Sequence, residues 1–251
     1  MGTIYESQKI DITMTAVKRS SLLEKTLLSF CENVFYGKQD RYRLIINIDP
    51  VGEKEKPKKI VSICKSFFDN VVYNIAPQPS FPKAVMWVWS QTTAPWIFHL
   101  EDDWIIHREI DINNMIRILN ERPGLACLRL YKRNIPNKKR PRLFDCPYRY
   151  NKDGFFVAGN SGTQFGLNPV LIRKKFIQQA LPLMVDNKNP EKQFRYTNLK
   201  MKDFLYKWQY AIYGKPGDKI LVSDHGVRWR RKNMLAKPSG GFTEWVKVSK
   251  K

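Results

Sequence analysis

Trp96-Ile97-Phe98-His99-Leu100-Glu101-Asp102-Asp103-Trp104-Ile105-Ile106 is the stretch on which the reading of this chain turns. A short apolar run entered from Ala94-Pro95 reads as a buried strand. Glu101, Asp102 and Asp103 then fall at its carboxyl end, and Trp104, Ile105 and Ile106 turn the chain back into a core. Adjacent carboxylates repel one another unless a cation sits among them. Hard oxygen ligands suit Mg²⁺ or Mn²⁺, and in an open α/β sheet ligands bind in the crevice at the carboxyl ends of the strands. A solvated acidic turn is the competing reading, and the flanking tryptophans and aliphatics weigh against it.

Upstream, the pattern predicts a βα alternation. Ile10 to Thr15 alternates apolar and polar residues as a first strand. Ser20 or Ser21 is expected to cap a helix carrying Leu22, Leu23, Leu27, Leu28 and Phe30. Arg43 to Pro50 reads as a second strand ending in Asp49, Ile60 to Phe68 as a helix, and Val71 to Ile75 as a short strand. After the proline-rich connection Ala76 to Pro82, Lys83 to Ser90 is expected to form the helix that leads into the acid-bearing strand.

Glu101-Asp102-Asp103 after a hydrophobic strand resembles the Asp-X-Asp motif, in its Glu-Asp-Asp form, of family 2-like nucleotide-sugar glycosyltransferases of the GT-A fold. The resemblance implies a single α/β, Rossmann-like domain over residues 1–251, with a mixed central sheet flanked by helices. Residues 1–107 would be its nucleotide-sugar-binding half and 108–251 its acceptor-binding half. It implies a Mn²⁺ or Mg²⁺ ion and a nucleotide-sugar donor, a UDP-sugar. By position Asp103 would be the catalytic metal ligand, with Glu101 and Asp102 beside the donor, while Thr15, Arg19 and Asp49 would contact the nucleoside. Lys83, at the start of its helix, would be a further donor contact. Taken alone, Asp49 is equally a turn acid before Pro50, and Lys83 equally a solvated lysine.

Downstream, Asp111 to Asn120 reads as an amphipathic helix closed by Pro123-Gly124, and Leu125 to Tyr131 as a strand. Over residues 129–152, Lys132, Arg133, Lys138, Lys139, Arg140, Arg142 and Arg149 are interleaved with Tyr131, Phe144, Tyr148 and Tyr150. Cations that neutralise phosphates beside rings that stack on bases suit nucleic acid, and a solvated basic loop fits the same residues. Gly154 to Pro169 concentrates glycines and small polar groups, which permit close backbone approach to a ligand. By the resemblance it lines the acceptor side, where Asn160, Ser161 and Gln164 would bond sugar hydroxyls. Val170 to Leu181 and Tyr196 to Tyr213 read as helices, and Asp218 to Trp229 as a last strand running into a polar end. The resemblance makes His225 a second metal ligand, where a lone histidine is otherwise structural. Arg228 would contact the donor, and the basic tail 228–251 would close over the diphosphate or extend the acceptor surface. Glu191, opening a helix after the Gly-rich segment, would be the catalytic base of an inverting reaction, with Asp153 and Asp186 as reserves.

Composition narrows the partners. A hydrophobic content of 43% excludes a disordered chain. No apolar run reaches the roughly 20 residues that span a bilayer, and a soluble cytoplasmic protein is expected, in the host cytoplasm if phage-encoded. Cys31, Cys64, Cys127 and Cys146 show no paired spacing and read as reduced core residues. The formal charge of +21 points to a polyanionic partner. Bacteriophage enzymes that glycosylate hydroxymethylated pyrimidines in DNA share that need, so a 5-hydroxymethyl pyrimidine in DNA is the favoured acceptor. A transferase acting on lipopolysaccharide or capsule glycan, and a non-catalytic nucleic-acid-binding protein, are the alternatives.

Overall fold

The computed structural model describes residues 7–36, 39–159, 165–236 and 246–247. The first half runs β1 (Ile10–Lys18), α1 (Ser20–Asn33), β2 (Tyr42–Gly52), α2 (Pro57–Phe67), β3 (Val71–Ile75), α3 (Phe81–Ser90), β4 (Trp96–Glu101) and β5 (Trp104–Ile106). The second half continues with α4 (Ile112–Glu121), β6 (Leu125–Leu130), β7 (Arg142–Leu143), β8 (Cys146–Asn151), β9 (Phe155–Ala158), β10 (Val170–Arg173), α5 (Lys174–Ala180), α6 (Pro190–Lys192), α7 (Lys202–Tyr206), β11 (Gln209–Tyr213), β12 (Val222–Asp224) and α8 (Gly226–Lys232).

Among the described residues, ten strands form one mixed sheet in the order β3-β2-β1-β4-β10-β6-β11-β9-β8-β7. β1 pairs in parallel with β2 and β4, and β10 enters antiparallel between β4 and β6. Strand alternation divides the apolar side chains between two cores. Ile10, Ile12, Met14, Phe98 and Leu100 pack with Leu23, Leu27 and Phe30 of α1 and Met115 and Leu119 of α4. Ile45 and Ile97 pack with Val85, Val88 and Trp89 of α3 and with Phe165, Phe176 and Phe194. This is the mixed α/β architecture, a central sheet flanked by helices, that the resemblance implies.

Four local readings differ from expectation, one of them Asp218 to Trp229, where only Val222–Asp224 is strand and a helix begins at Gly226. Val170 to Arg173 is a strand, and only Lys174 to Ala180 is helical. Lying between two strands and buried on both faces, it shows none of the alternation that marks a half-exposed strand. The stretch 196–213 breaks into a short 3-10 turn, the five-residue α7 and strand β11, whose Tyr210, Ala211 and Ile212 are likewise buried on both sides. Neither Ser20 nor Ser21 caps α1. Arg19 occupies that position without a side-chain cap bond, and the Ser20 N–H donates to Glu55 Oε1 at 2.8 Å. All four cysteines are free thiols, with Cys64 and Cys127 buried. Among the described residues no helix is long and apolar enough to cross a membrane.

Candidate active site

β4 delivers the acids where expected, but they divide the work. Asp102 is 1% exposed. Its Oδ2 accepts the Val17 N–H and Arg19 Nε–H, both at 3.0 Å, and its Oδ1 accepts from Arg19 Nη2 at 2.5 Å. Its backbone N–H donates to Thr15 O, and Thr26 Oγ1 donates to its carbonyl. Asp102 is therefore the clamp that holds the turn to β1 and α1. Arg19 Nη2 also donates to Asp103 Oδ2 at 2.8 Å. Burial lowers the pKa of Arg19, but Asp102 and Asp103 raise it by more, and the net shift is upward. Arg19 is thus the internal cation of the acid cluster. Asp103 is 5% exposed. Burial raises its pKa, Arg19 opposes, and the charges of Asp102 and Asp224 raise it further.

The chain's late segment covers this cluster. β12 pairs with β5, placing Asp224 opposite Trp104, and the His225 N–H donates to Asp103 O at 2.9 Å. α8 follows with Trp229 beneath the Arg19 guanidinium, 5.7 Å from ring centroid to Cζ, and with its indole N–H on Glu53 Oε1 at 3.2 Å. Arg228 is exposed in the first turn of α8. Gly226 is the point of closest approach, since a Cβ there would overlap Asp103 Oδ2 and lie 3.0 Å from Arg19 Nη1. Gly226→Ala is expected to cost about 1–3 kcal/mol by overpacking and to displace α8. Denaturant unfolding together with a red-shifted Trp emission is the check, and an unchanged midpoint would count against this packing.

The cluster suits one kind of divalent-cation site. Its carboxylates outnumber its guanidinium, and all its donors are hard oxygens. The His225 ring is turned elsewhere: its Nε2 lies 2.9 Å from Ser223 Oγ, which also meets His107 Nε2 at 2.8 Å. Among the described residues no three His, Cys, Asp or Glu side chains converge on one point. The fit is to an ion bound through one or two carboxylates, completed by water and substrate phosphate, which is the habit of Mg²⁺ and Mn²⁺. Asp103 would be its protein ligand, and His225 does not join it in this arrangement.

A second group lies along the carboxyl ends of β1, β2 and β3. Thr15 of β1 stands in register between Asn47 and Glu101. Asn74 donates to Asn47 Oδ1 at 2.7 Å, and Asn47 donates to Asp49 Oδ1 at 2.9 Å. The Ser80 N–H donates to Asp49 Oδ2 at 3.1 Å. A cavity of about 640 Å³ opens here, lined by Asp49, Ser80, Lys83, Trp87, Asp186 and neighbours. Lys83 faces Asp186 across 3.5 Å, both well exposed. Trp87 of α3 forms part of the wall. Trp89 instead packs inward, with its indole N–H on Nδ1 of the buried His99 at 3.4 Å; burial holds that imidazole neutral, with a pKa pushed down to about 3.

Burial pushes the Asp49 carboxyl up to about 6, against the pull of the Ser80 and Asn47 donors, with the Asp102 charge adding to the rise. A raised carboxyl binds its proton more tightly folded than unfolded, so stability falls as pH rises from about 4 to 6. Relative to Asp49→Asn, the wild type is expected to gain stability on acidification across that window. Paired melts at pH 7 and pH 4 read this directly, and a constant difference would contradict the placement.

In the second half of the chain, Glu191 lies in the first turn of α6, and its Oε1 accepts the Leu167 N–H at 2.9 Å. Lys138, Lys139 and Arg140 are exposed. Tyr148 is not: it is 2% exposed, packed with Tyr131, Ile135, Leu143 and Phe156. Its ring faces core rather than solvent because β8 alternates in register with β9. Asp153 pairs with Arg122 at 3.2 Å. Asn160, Ser161 and Gln164 lie outside the described residues. The sequence reading missed the Asn47–Asn74 ladder and Arg129; period-2 alignment of β2 with β3 was the signal for the former.

No protein-family model matches the chain, and no curated protein matches it. Solved structures do. S. aureus TarS residues 1–349 is 13% identical, covering 85% of this chain and 59% of that chain, with a TM-score of 0.57. The same protein in complex with UDP-GlcNAc is 12% identical, covering 85% and 57%, with a TM-score of 0.57. The mannosyltransferase PcManGT from Pyrobaculum calidifontis, in complex with GDP-Man and Mn²⁺, is 9% identical, covering 89% and 61%, with a TM-score of 0.56. At such identities the likeness shows the fold, a GT-A-like mixed sheet flanked by helices. The chain spans about three fifths of the length of these structures.

Proposed function

We propose that this chain is a metal-dependent glycosyltransferase that moves a sugar from a nucleotide-diphosphate sugar, a UDP-sugar, to an acceptor hydroxyl. The observation that carries the reading is the buried acid turn at the carboxyl end of β4, next to the Asp49 cavity and under a basic helix. The fold's neighbours include structures bound to UDP-GlcNAc and to GDP-Man with Mn²⁺. Residues 1–107 form the donor half in this reading and 108–251 the acceptor half. The free lone pairs of Asp49 accept from the nucleobase, Trp87 offers a face for it to stack on, and Lys83 and Arg228 contact the phosphates. Asp103 holds the cation, which when bound offsets charge on the departing diphosphate. In an inverting reaction Glu191 takes the acceptor's proton, its Oε1 anchored on Leu167 N–H and its Oε2 left for the hydroxyl.

For the acceptor we propose a 5-hydroxymethyl pyrimidine in phage DNA. The exposed Lys138, Lys139 and Arg140 and the +21 charge support it through phosphate contacts, whereas the buried Tyr148 takes no part in stacking. The test is release of nucleoside diphosphate from a panel of nucleotide sugars with Mn²⁺, using plain and 5-hydroxymethylated DNA, with product DNA weighed by mass spectrometry. A sugar-sized gain on the modified DNA alone is expected. Donor hydrolysis without DNA modification would move the acceptor to a glycan, and absence of any donor turnover would overturn the transferase reading.

A further inference from the structure

Arg129, near the end of β6, is 3% exposed. It stands in the sheet row His99–Val170–Arg129, and it shares the face of Cys127, which packs in the α3-side core. Among the described residues its Nε and Nη2 have no hydrogen-bond partner and it joins no ion pair. Burying a guanidinium with two unmet donors costs free energy unless something satisfies them. The other deeply buried arginine of the site, Arg19, has two carboxylates for the purpose.

The surroundings hold the guanidinium closely on several sides. Gly166 presses on the guanidinium so closely that a Cβ would overlap Nη1, and the same point is 3.4 Å from Glu191 Oε1. Arg129 therefore sits beside the group assigned as base. Burial pushes the Tyr148 phenol up to about 12, with the Arg129 charge and hydrogen bond pulling the other way. Above Arg129 lies the Phe144 ring, 3.8 Å from Cζ to centroid. Phe144 and Asp145 form the two-residue loop between Leu143 and Cys146, with φ of 50° and 64°. Such loops favour Asn-Gly, and a bulky residue at positive φ is strained by about 1 kcal/mol or more. The strained loop thus carries a half-buried ring over a guanidinium that has no ion pair among the described residues.

We infer that Arg129 binds an anionic oxygen group, carboxylate or phosphate, carried by the substrate on the acceptor side, with Phe144 as the cover that moves aside to admit it. This rests on the glycosyltransferase reading for the word acceptor, but not for the binding. The orphaned Nε–H and Nη2–H are the pair that meets a carboxylate or phosphate in bidentate fashion.

The test is carried out without donor. Protein ¹⁵N-labelled in arginine is titrated at constant ionic strength with methyl phosphate and, separately, with acetate. The Arg129 Nε–H resonance is assigned by its absence in Arg129→Gln, or in Arg129→Lys should the glutamine variant not fold. It is expected to shift saturably with at least one of the two anions, and the tighter anion names the group. The saturable heat of that anion is expected to weaken about tenfold or more in Arg129→Gln. Phe144→Ala is expected to tighten it by uncovering the site. A resonance unmoved by either anion, or equal heats in Arg129→Gln and wild type, would overturn the inference. So would a Phe144→Ala protein that loses stability without gaining affinity. Nucleotide-sugar binding is measured on the same sample: donor binding without an anion response sinks this inference alone, and an anion response without donor binding sinks the nucleotide-sugar reading alone.

Discussion

Replacing Asp103 by Asn is expected to lower sugar transfer about a hundredfold to a thousandfold, the scale seen when one charge-stabilising group leaves a site. The fold should survive the change. Arg19 keeps its bidentate partner Asp102, and an amide at 103 still offers an oxygen to Arg19 Nη2. The excess of carboxylate over guanidinium shrinks, and with it the charge that would hold a cation. In the proposed DNA-acceptor reading, exposed residues such as Lys138 and Arg140 would carry any affinity for DNA, and that affinity is expected to stay within about twofold at fixed salt. The variant is assayed for transfer, for thermal midpoint and for DNA retention. Equal loss of all three would mean that Asp103, like Asp102, is a structural acid.

Arg19→Met is expected to produce the largest loss of stability, about 3–5 kcal/mol, because it leaves buried carboxylates without their cation. Asp102, 1% exposed, bears most of that penalty. The double variant Arg19→Met, Asp102→Asn should recover a large part of it, since the amide keeps an acceptor for the Val17 N–H while removing the charge. Urea unfolding of the three proteins reads the coupling. If the double variant is no more stable than Arg19→Met, the cluster is held by something other than this ion pair.

These two residues also show what the sequence could and could not disclose. The acid turn was legible because three carboxylates directly follow an apolar run, and burial of that run forces them to its end. Arg19 was legible, by the resemblance, only as a nucleoside contact in the loop after the first strand. That it compensates Asp102 and Asp103, 83 and 84 positions away, depends on the parallel pairing of β1 with β4, which no local pattern encodes. The strand Val170–Arg173 and β11 were read as helices because elements buried on both faces carry neither period 2 nor period 3.6. Tyr148 looked like a stacking ring for the same reason that it is not one. Its neighbours Pro147 and Arg149 along β8 are exposed, and the alternation itself sends the tyrosine in. Gly226 gave no signal, and Gly166 was legible only as part of a segment open to a ligand, whereas each admits a side chain distant in sequence, Asp103 and Arg129 respectively.

The most direct measurement is calorimetric titration of UDP- and GDP-sugars into the wild type and Asp103→Asn, with Mn²⁺ and with chelator. The account requires saturable binding of a nucleotide sugar in Mn²⁺, weakened at least about tenfold by chelator or by Asp103→Asn, while the thermal midpoints stay close. No donor binding, or binding indifferent to both the ion and Asp103, would contradict it.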